Sequence, residues 1–517
     1  MVYGDLIRGN ARRDPTRAGV VFEGKSFTWK EVDERVNRFG NALLSLGLRK
    51  SDKVAIFAQN SHRYAETYFA LAKAGLVAVP INWQSTAQET AYILSHSEAK
   101  AVVVDQEYVP IISSLSSQLH SMEHVIQMGE EARGLDYERL LRESPGGEPP
   151  VEVFPDDLRA LVYTSGTTGM PKGCIVTHRQ SLASYANYLI EIPVPREQPT
   201  LLTVPFFTGF GAFQCLGAPY TRSTMVVLRR FQPSLVFETI ERHRIAHMCL
   251  VPTMIISLCN SPDIGKYDLS SLRLIGYGGS PIAPAVLRRA ISAFKCGFYQ
   301  VFGTAEAGGF VAFLTPADHV LDGSEAKEKR LLSTGREALY AEIRLVDEDG
   351  FDVPPNEPGE LIVRSDSSIS GYWKMPEKTA ETIRDGWVFT GDVARRDEDG
   401  YIYIADRKKE MIVSGGVNIF PAEIEAVLYT HPAVLQAAVI GVPDEHWGEA
   451  VKAVIELREG ARATEEEIIE FCRERLASYK KPKSVEFVEH LPVSSSAKVV
   501  KRELRERYWE GHERRVH

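Results

Sequence analysis

From residue 27 onward the apolar positions switch repeatedly between a helical and a strand period, and each block closes on Gly or Pro. FTWKEVDERVNRFGNALLSLG spaces its apolar residues as an amphipathic helix that ends at Gly47. KVAIFA (53 to 58), LVAVPI and AVVVD are short apolar runs of buried-strand type, and RYAETYFALAKAG between them is a second helix. The pattern resumes after residue 158 with ALVYT, TMVVL, HMCLVP and LRLIGYGG, each followed by a helical stretch. Strand and helix in alternation predict parallel α/β sheets, here two of them.

Between about 335 and 405 the texture changes to short alternating runs, AEIRLVDED, GELIVRS and GYIYIAD, broken by Gly, Pro and Asp. That spacing predicts a small antiparallel, β-barrel-like unit appended to the α/β core. After Asp406-Arg407-Lys408-Lys409 the segments EIEAVLYTHP, AAVIGVP, EAVKAVIEL and EEEIIEFCRERLA predict a compact α+β unit. The expected division is a large N-terminal part over 1–405 and a small C-terminal part over 406–517.

A chain of 517 residues is about three times the ~150-residue prior for one domain, in keeping with several cores. Its 44% hydrophobic and 25% charged residues fit a soluble globular protein and exclude disordered or low-complexity classes. A net charge of −9 argues against a chain that neutralises nucleic-acid phosphates. Residues 471 to 517 run the other way, with twelve Lys and Arg against seven Glu and no Asp. The six cysteines form no CxxC, and no apolar run reaches the ~20 residues of a membrane span, so a reducing, cytoplasmic setting is expected. No nucleic-acid partner is expected, and a homodimer is one assembly compatible with the chain.

The densest chemical signal is YTSGTTGMPKG, residues 163 to 173, directly after the strand-like ALVY. Gly166, Gly169 and Gly173 let the backbone aim several N–H groups at one anion; Thr164, Ser165, Thr167 and Thr168 add hydroxyl donors, and Lys172 adds charge. This is chemistry for a polyphosphate. It is not the P-loop pattern, because Lys172 precedes Gly173 rather than Ser or Thr.

The sequence resembles the adenylate-forming superfamily of acyl-CoA synthetases, firefly luciferases and peptide-synthetase adenylation domains. The resemblance spans nearly the whole chain. Besides the phosphate loop it rests, in the family's order, on GYGGSPI (276 to 282), FGTAEAG (302 to 308), GELIVRS (359 to 365), TGD (390 to 392), DRKKEMIVSGGVNIFPAEIE (406 to 425) and LPVSSSAK (491 to 498).

The resemblance implies ATP and CoA as substrates, a small-molecule carboxylic acid as the third, and Mg²⁺ on Glu306. Phe302 would stack on adenine, with Gly278, Gly279, Ser280, Gly303 and Thr304 around the nucleotide. Asp392, read as lying in a turn, would accept from the ribose hydroxyls, and Arg407 would approach ribose or α-phosphate. Lys498 would bring a cation to the substrate carboxylate and α-phosphate together. Lys409 would be the pivot on which a mobile C-terminal domain turns between two half-reactions. In the second of these, Gly415, Gly416 and Trp447 would line the pantetheine path, and Tyr479, Lys481 and Lys483 would hold the CoA nucleotide.

The stretch VPFFTGFGAF (204 to 213) matches the wall of the acyl pocket, with Phe207, Thr208 and Gly209 opposite Gly308 and Gly309. Thr208 stands where peptide-synthetase domains carry Asp, which disfavours an amino-acid substrate. Small residues there leave either a deep pocket for a fatty or other apolar acid or room for backbone packing. Ala305 and Ala497 depart from the Thr and Gly usual in the family. The expected activity is AMP-forming acyl-CoA ligation; the alternatives are an impaired nucleotide- or acyl-binding relative and an adenylating enzyme with another acceptor.

Overall fold

The computed structural model describes residues 1–129, 134–164, 170–280, 282, 284–319, 321, 324–407, 410–415, 417–444, 446–493 and 499–509. Two large mixed sheets form the bulk of the N-terminal domain. In the seven-stranded sheet, Lys53–Phe57 lies between Val77–Pro80 and Ala99–Asp105, all parallel, and the hairpin Leu158–Thr164 with Lys172–Thr177 closes one edge. In the nine-stranded sheet, six parallel strands run from Gly297–Thr304 through Leu274–Gly278, His247–Leu250, Thr200–Leu202 and Met225–Val227 to Ala18–Phe22. Antiparallel strands flank both ends.

The order of strands ties the two sheets together. Ala18–Phe22 pairs with Met225–Val227, about two hundred residues away, while the next helix, Trp29–Ser45, packs on His62–Ala74 of the other sheet. A single apolar cluster therefore draws on both sheets: Trp29, Phe39, Phe69, Ile56, Leu202 and Val227 are all buried in it. The helices begin where the sequence provides caps. Thr28 accepts from the Glu31 N–H while Glu31 reaches back to Thr28, and Ser61 accepts from Tyr64. Gly75, at φ +67°, ends the helix His62–Ala74.

Phe27 belongs to the strand Lys25–Thr28, so the helix read from residue 27 starts at Trp29, two residues later than its apolar spacing suggests, and a helix over Tyr3–Arg13 precedes it. The region between 335 and 405 is a five-stranded antiparallel sheet built on Ala341–Val346, Gly359–Ser365 and Trp387–Arg396. The small C-terminal domain carries another five-stranded sheet, centred on Gly448–Leu457 and Val434–Asp444 and backed by Pro421–Leu428 and Glu465–Arg473. No helix among the described residues is long and apolar enough to cross a membrane.

Candidate active site

In the nine-stranded sheet the chain leaves Thr200–Leu202 for Met225–Val227 on one side and then crosses to His247–Leu250 on the other. That reversal marks a switch point, and the usual ligand position in open α/β sheets is outside the carboxyl ends of the strands at such a point. Phe207, Thr208 and Gly209 follow Leu202; Gly279 and Ser280 follow Leu274–Gly278; Ala305 and Glu306 follow Gly297–Thr304. Three motifs far apart in sequence therefore share one edge.

The phosphate-loop motif lies on the edge hairpin of the other sheet. Thr164 pairs directly with Lys172 across two antiparallel strands, so Lys172 opens a strand rather than a helix. Ser165, Gly166, Thr167, Thr168 and Gly169 lie outside the described residues. The ammonium of Lys172 sits 4.6 Å from the centre of the Tyr372 ring. The Tyr372 hydroxyl donates to Glu306 Oε1 at 2.9 Å. Tyr372 thus joins the exit of the phosphate loop to the acidic residue at the end of the other sheet. Its backbone is fixed by a bridge to Cys174 and by an N–H bond to Thr379 Oγ1 at 2.9 Å. Burial and the nearby Glu306 carboxylate hold the Cys174 thiol neutral.

Tyr372 was not among the residues the sequence singles out. The signal available was SGYWKMP, an aromatic pair between turn residues, but nothing local ties it to Glu306 sixty-six residues earlier. Among the described residues no three His, Cys, Asp or Glu side chains converge as a metal cage. A Mg²⁺ on Glu306 would draw its remaining ligands from phosphate oxygens and water, which suits that ion's habit in nucleotide sites.

Ala305 packs with Cys174, Ile369 and Tyr372, so its methyl is taken up by an apolar cluster. The neighbouring Thr304 hydroxyl accepts from the Ala307 N–H at 3.1 Å. Half-buried Phe302 packs with Ala307, Val311, Ile343 and Ala394, which sets the strand Trp387–Arg396 beside it. Asp392 is therefore not in a turn. It is buried inside that strand, opposite Arg407, just after Gly391 at φ +72° where the ladder with Gly359–Ser365 shifts register.

Of the two readings open for the acyl-pocket glycines, pocket space or backbone packing, close packing accounts for most of them. A Cβ on Gly278 would come 2.6 Å from the carbonyl oxygen of Val301 on the next strand, so strand packing already accounts for its missing side chain. On Gly308 it would overlap the carbonyl of Ser367, on Gly309 the hydroxyl of Ser184, and on Gly211 the carbonyl of Pro205. Gly209 alone of this group has nothing near its missing Cβ. Gly279, at φ +86°, holds a backbone turn that other residues resist. Thr208 caps the helix Gly209–Gly217: its hydroxyl donates to Pro205 O at 2.8 Å and accepts from the Gly211 N–H at 2.9 Å.

In the C-terminal domain, Gly415 and Trp447 are in contact. The Gly415 N–H bonds to Trp447 O at 2.8 Å, and a Cβ on Gly415, at φ +60°, would lie 2.5 Å from the indole. Asp444 Oδ1 accepts from the N–H groups of His446 and Trp447, which sets the loop. Tyr479 is exposed, with the ammonium of Lys480 5.6 Å from its ring, while Lys480 itself is bound to both Glu423 oxygens at 2.7 Å. Lys481 is half-buried and Lys483 exposed, and the backbone N–H groups of Trp447 and His446, with a lesser contribution from Lys483, lower the Asp444 pKa. Lys409, Gly416 and Lys498 lie outside the described residues.

Residues 7–373 match the AMP-binding enzyme family and residues 423–498 its C-terminal domain. The chain is 37% identical over 507 residues to a feruloyl-CoA synthase of an Amycolatopsis species, covering 96% of this chain and 97% of that one. It is 34% identical over 513 residues to a fatty acid–[acyl-carrier-protein] ligase of Streptomyces coeruleorubidus, covering 98% and 96%. An anthranilate CoA ligase solved with anthranoyl-AMP superimposes with a TM-score of 0.91 at 28% identity, over 98% of this chain and 97% of that one. With both family matches in order and full-length relatives above 30% identity, the chain belongs to the AMP-binding, adenylate-forming family of enzymes that includes the acyl-CoA ligases.

Proposed function

We propose that this enzyme is an AMP-forming carboxylate–CoA ligase acting on an apolar acid. The observation that supports the reading is the Lys172–Tyr372–Glu306 arrangement, in which one tyrosine contacts both a cation and a carboxylate from distant motifs. In the first half-reaction the acid's carboxylate oxygen attacks the α-phosphorus of ATP, and the bond to pyrophosphate breaks to leave an acyl-adenylate. Lys172 and the hydroxyls of the loop at 164–169 hold the departing phosphates, and Lys498 offsets the charge of carboxylate and α-phosphate as they meet. Mg²⁺ held by Glu306 would add charge against the β- and γ-phosphates. Phe302, Gly303, Thr304, Gly278, Gly279 and Ser280 bound the adenosine, with Asp392 and Arg407 on the ribose side.

In the second half-reaction the CoA thiolate attacks the acyl carbonyl and AMP leaves. The 406–517 unit turns about Lys409 between the two steps, withdrawing Lys498 and bringing Gly415, Gly416 and Trp447 alongside the pantetheine. Tyr479, Lys481 and Lys483 face the CoA nucleotide. Among relatives, the names feruloyl-CoA synthase, medium/long-chain-fatty-acid–CoA ligase and indoleacetate–CoA ligase share this reaction type while differing in the acid.

The test is carboxylate-dependent exchange of pyrophosphate into ATP, followed by CoA-dependent release of AMP. No exchange with any acid in a broad panel would replace this reading with a nucleotide- or acyl-binding role. Exchange without CoA-dependent release would point to another acceptor, such as a carrier protein.

A further inference from the structure

The wall behind the candidate acyl site is aromatic from one residue past each of its two opposing glycines. Phe210 follows Gly209 and Phe310 follows Gly309, and their rings meet edge to face at 5.5 Å. Phe213, one turn further along the helix Gly209–Gly217, meets Phe310 at 4.6 Å and Tyr188 at 5.2 Å. Behind them the Tyr188 hydroxyl bonds to that of Tyr299 at 2.6 Å. Tyr299 is held in turn by His247 Nε2 at 2.9 Å and Cys249 Sγ at 3.1 Å. Gly276 carries no side chain where a Cβ would overlap the Tyr299 ring. Phe310, Tyr188 and Tyr299 are buried and Phe210 and Phe213 are half-buried; the two tyrosine hydroxyls are bonded into the core, so neither tyrosine ring can swing aside without breaking a buried polar network.

Two buried polar groups on the helices that carry Tyr188 and Phe213 stand out against this. Ser184 Oγ lies against Gly309, is buried, and has no hydrogen-bond partner among the described residues. It does not make the bond to a preceding helical carbonyl that a buried helical serine commonly makes. Gln214 Nε2, one turn past Phe210, is likewise buried without a partner. Buried donors are nearly always paired, and ligand pockets typically set a few such groups into an apolar lining.

Building on the ligase reading above, we infer that the acid is compact, about one aromatic ring in reach, and carries a hydrogen-bonding substituent that Ser184 and Gln214 meet. The wall of Phe310, Phe213 and Tyr188, stiffened by Tyr299, stops a long alkyl tail. A hydroxyl or similar group on the ring would satisfy the two orphaned groups, whereas an unsubstituted ring would leave them buried and unpaired.

The test compares kcat/KM of the full-length enzyme, with ATP, Mg²⁺ and CoA, for palmitate, octanoate, cinnamate and its meta- and para-hydroxy derivatives. Cinnamate should exceed palmitate by at least about tenfold, and one hydroxycinnamate should exceed cinnamate by about tenfold or more, since sites built to hydrogen-bond a substrate group reject analogues lacking it. Ser184→Ala and Gln214→Leu should each pull the hydroxycinnamate-to-cinnamate ratio toward one. Phe310→Ala should raise octanoate relative to cinnamate. Ratios measured on one preparation are insensitive to the fraction folded, so a destabilised variant still reports. Palmitate matching cinnamate in the wild type, or an unchanged hydroxyl ratio in both polar variants, overturns the inference and leaves the ligase reading standing. Absence of pyrophosphate exchange with every acid overturns both.

Discussion

Tyr372 donates its hydroxyl proton to Glu306 Oε1 at 2.9 Å, from a ring whose face lies 4.6 Å from the Lys172 ammonium. One side chain thereby sets the position of a carboxylate from the nine-stranded sheet and a cation from the seven-stranded sheet. Tyr372→Phe keeps the ring and its contact with Lys172 but releases Glu306. Loss of one hydrogen bond to a charged group is worth about 1.5–3 kcal/mol, so pyrophosphate exchange should fall roughly ten- to hundredfold. The melting temperature should stay within a few degrees of wild type, because the ring still packs on Cys174 and Ile369. Exchange at the wild-type rate would show that Glu306 does not need this partner.

Gly415 and Trp447 make a second pair whose substitution separates the half-reactions. Gly415→Ala forces a side chain into a left-handed conformation and within 2.5 Å of the indole, a strain of about 1–3 kcal/mol. Trp447 must then move, since the alternative is to shift the strand Ile412–Ser414 that leads into Gly415. The expected outcome is a KM for CoA raised several-fold and an altered tryptophan emission, with carboxylate-dependent pyrophosphate exchange largely retained. Equal loss in both half-reactions would place Gly415 outside the CoA path.

Much of this architecture is legible in the residues because its causes are local. The strands Lys53–Phe57 and Ala99–Asp105 are short apolar runs buried on both faces, and the helices carry Thr28 and Ser61 as caps, so period and cap together reveal them. What escapes is long-range. Ala18–Phe22 has an ordinary strand composition, and nothing in it specifies Met225–Val227 as its neighbour. Asp392 sits among Thr and Gly, a composition that reads as a turn, yet cross-strand pairing with Arg407 keeps it in a strand. Gly278 suggested space for a purine, and Gly308 and Gly309 left pocket space and backbone packing both open; Val301, Ser367 and Ser184 occupy the space a Cβ would need at each. A missing side chain is visible in sequence; the atom that excludes it is not.

The basic tail segment gives a salt-dependent prediction. Lys480 is bound to Glu423 and so is committed within the domain, while Lys481 and Lys483, proposed above for the CoA nucleotide, lie two and four residues after exposed Tyr479. Lys481→Glu with Lys483→Glu should raise the KM for CoA at least about tenfold at low ionic strength and less at high salt, because exposed charges are screened beyond the Debye length. Acyl-adenylate formation should be unaffected. Replacing CoA by its dephospho form should shrink the difference between variant and wild type, and CoA kinetics equal to wild type would remove these lysines from the nucleotide site.

His247 supplies a pH dependence that belongs to the fold rather than to the chemistry. It is buried, with Thr200 Oγ1 3.1 Å from Nδ1 and the Tyr299 hydroxyl 2.9 Å from Nε2, and burial pulls its pKa down to about 4 from 6.5. The unfolded chain therefore binds a proton at this residue between pH 6.5 and 4 that the folded chain refuses. Stability from this residue is fully present above pH 6.5 and is lost progressively as the pH falls toward 4. A shift of that size corresponds to about 3 kcal/mol across the window. His62 and His178, both buried and pulled down to about 3, add slopes of the same sign. His247→Gln removes the titration while retaining a group able to bond Tyr299, so urea unfolding should show a shallower loss between pH 6.5 and 4 than in wild type. An identical slope would mean that His247 is already protonated in the folded state, in which case the Tyr188–Tyr299 hydroxyl pair would have to be polarised by a buried cation.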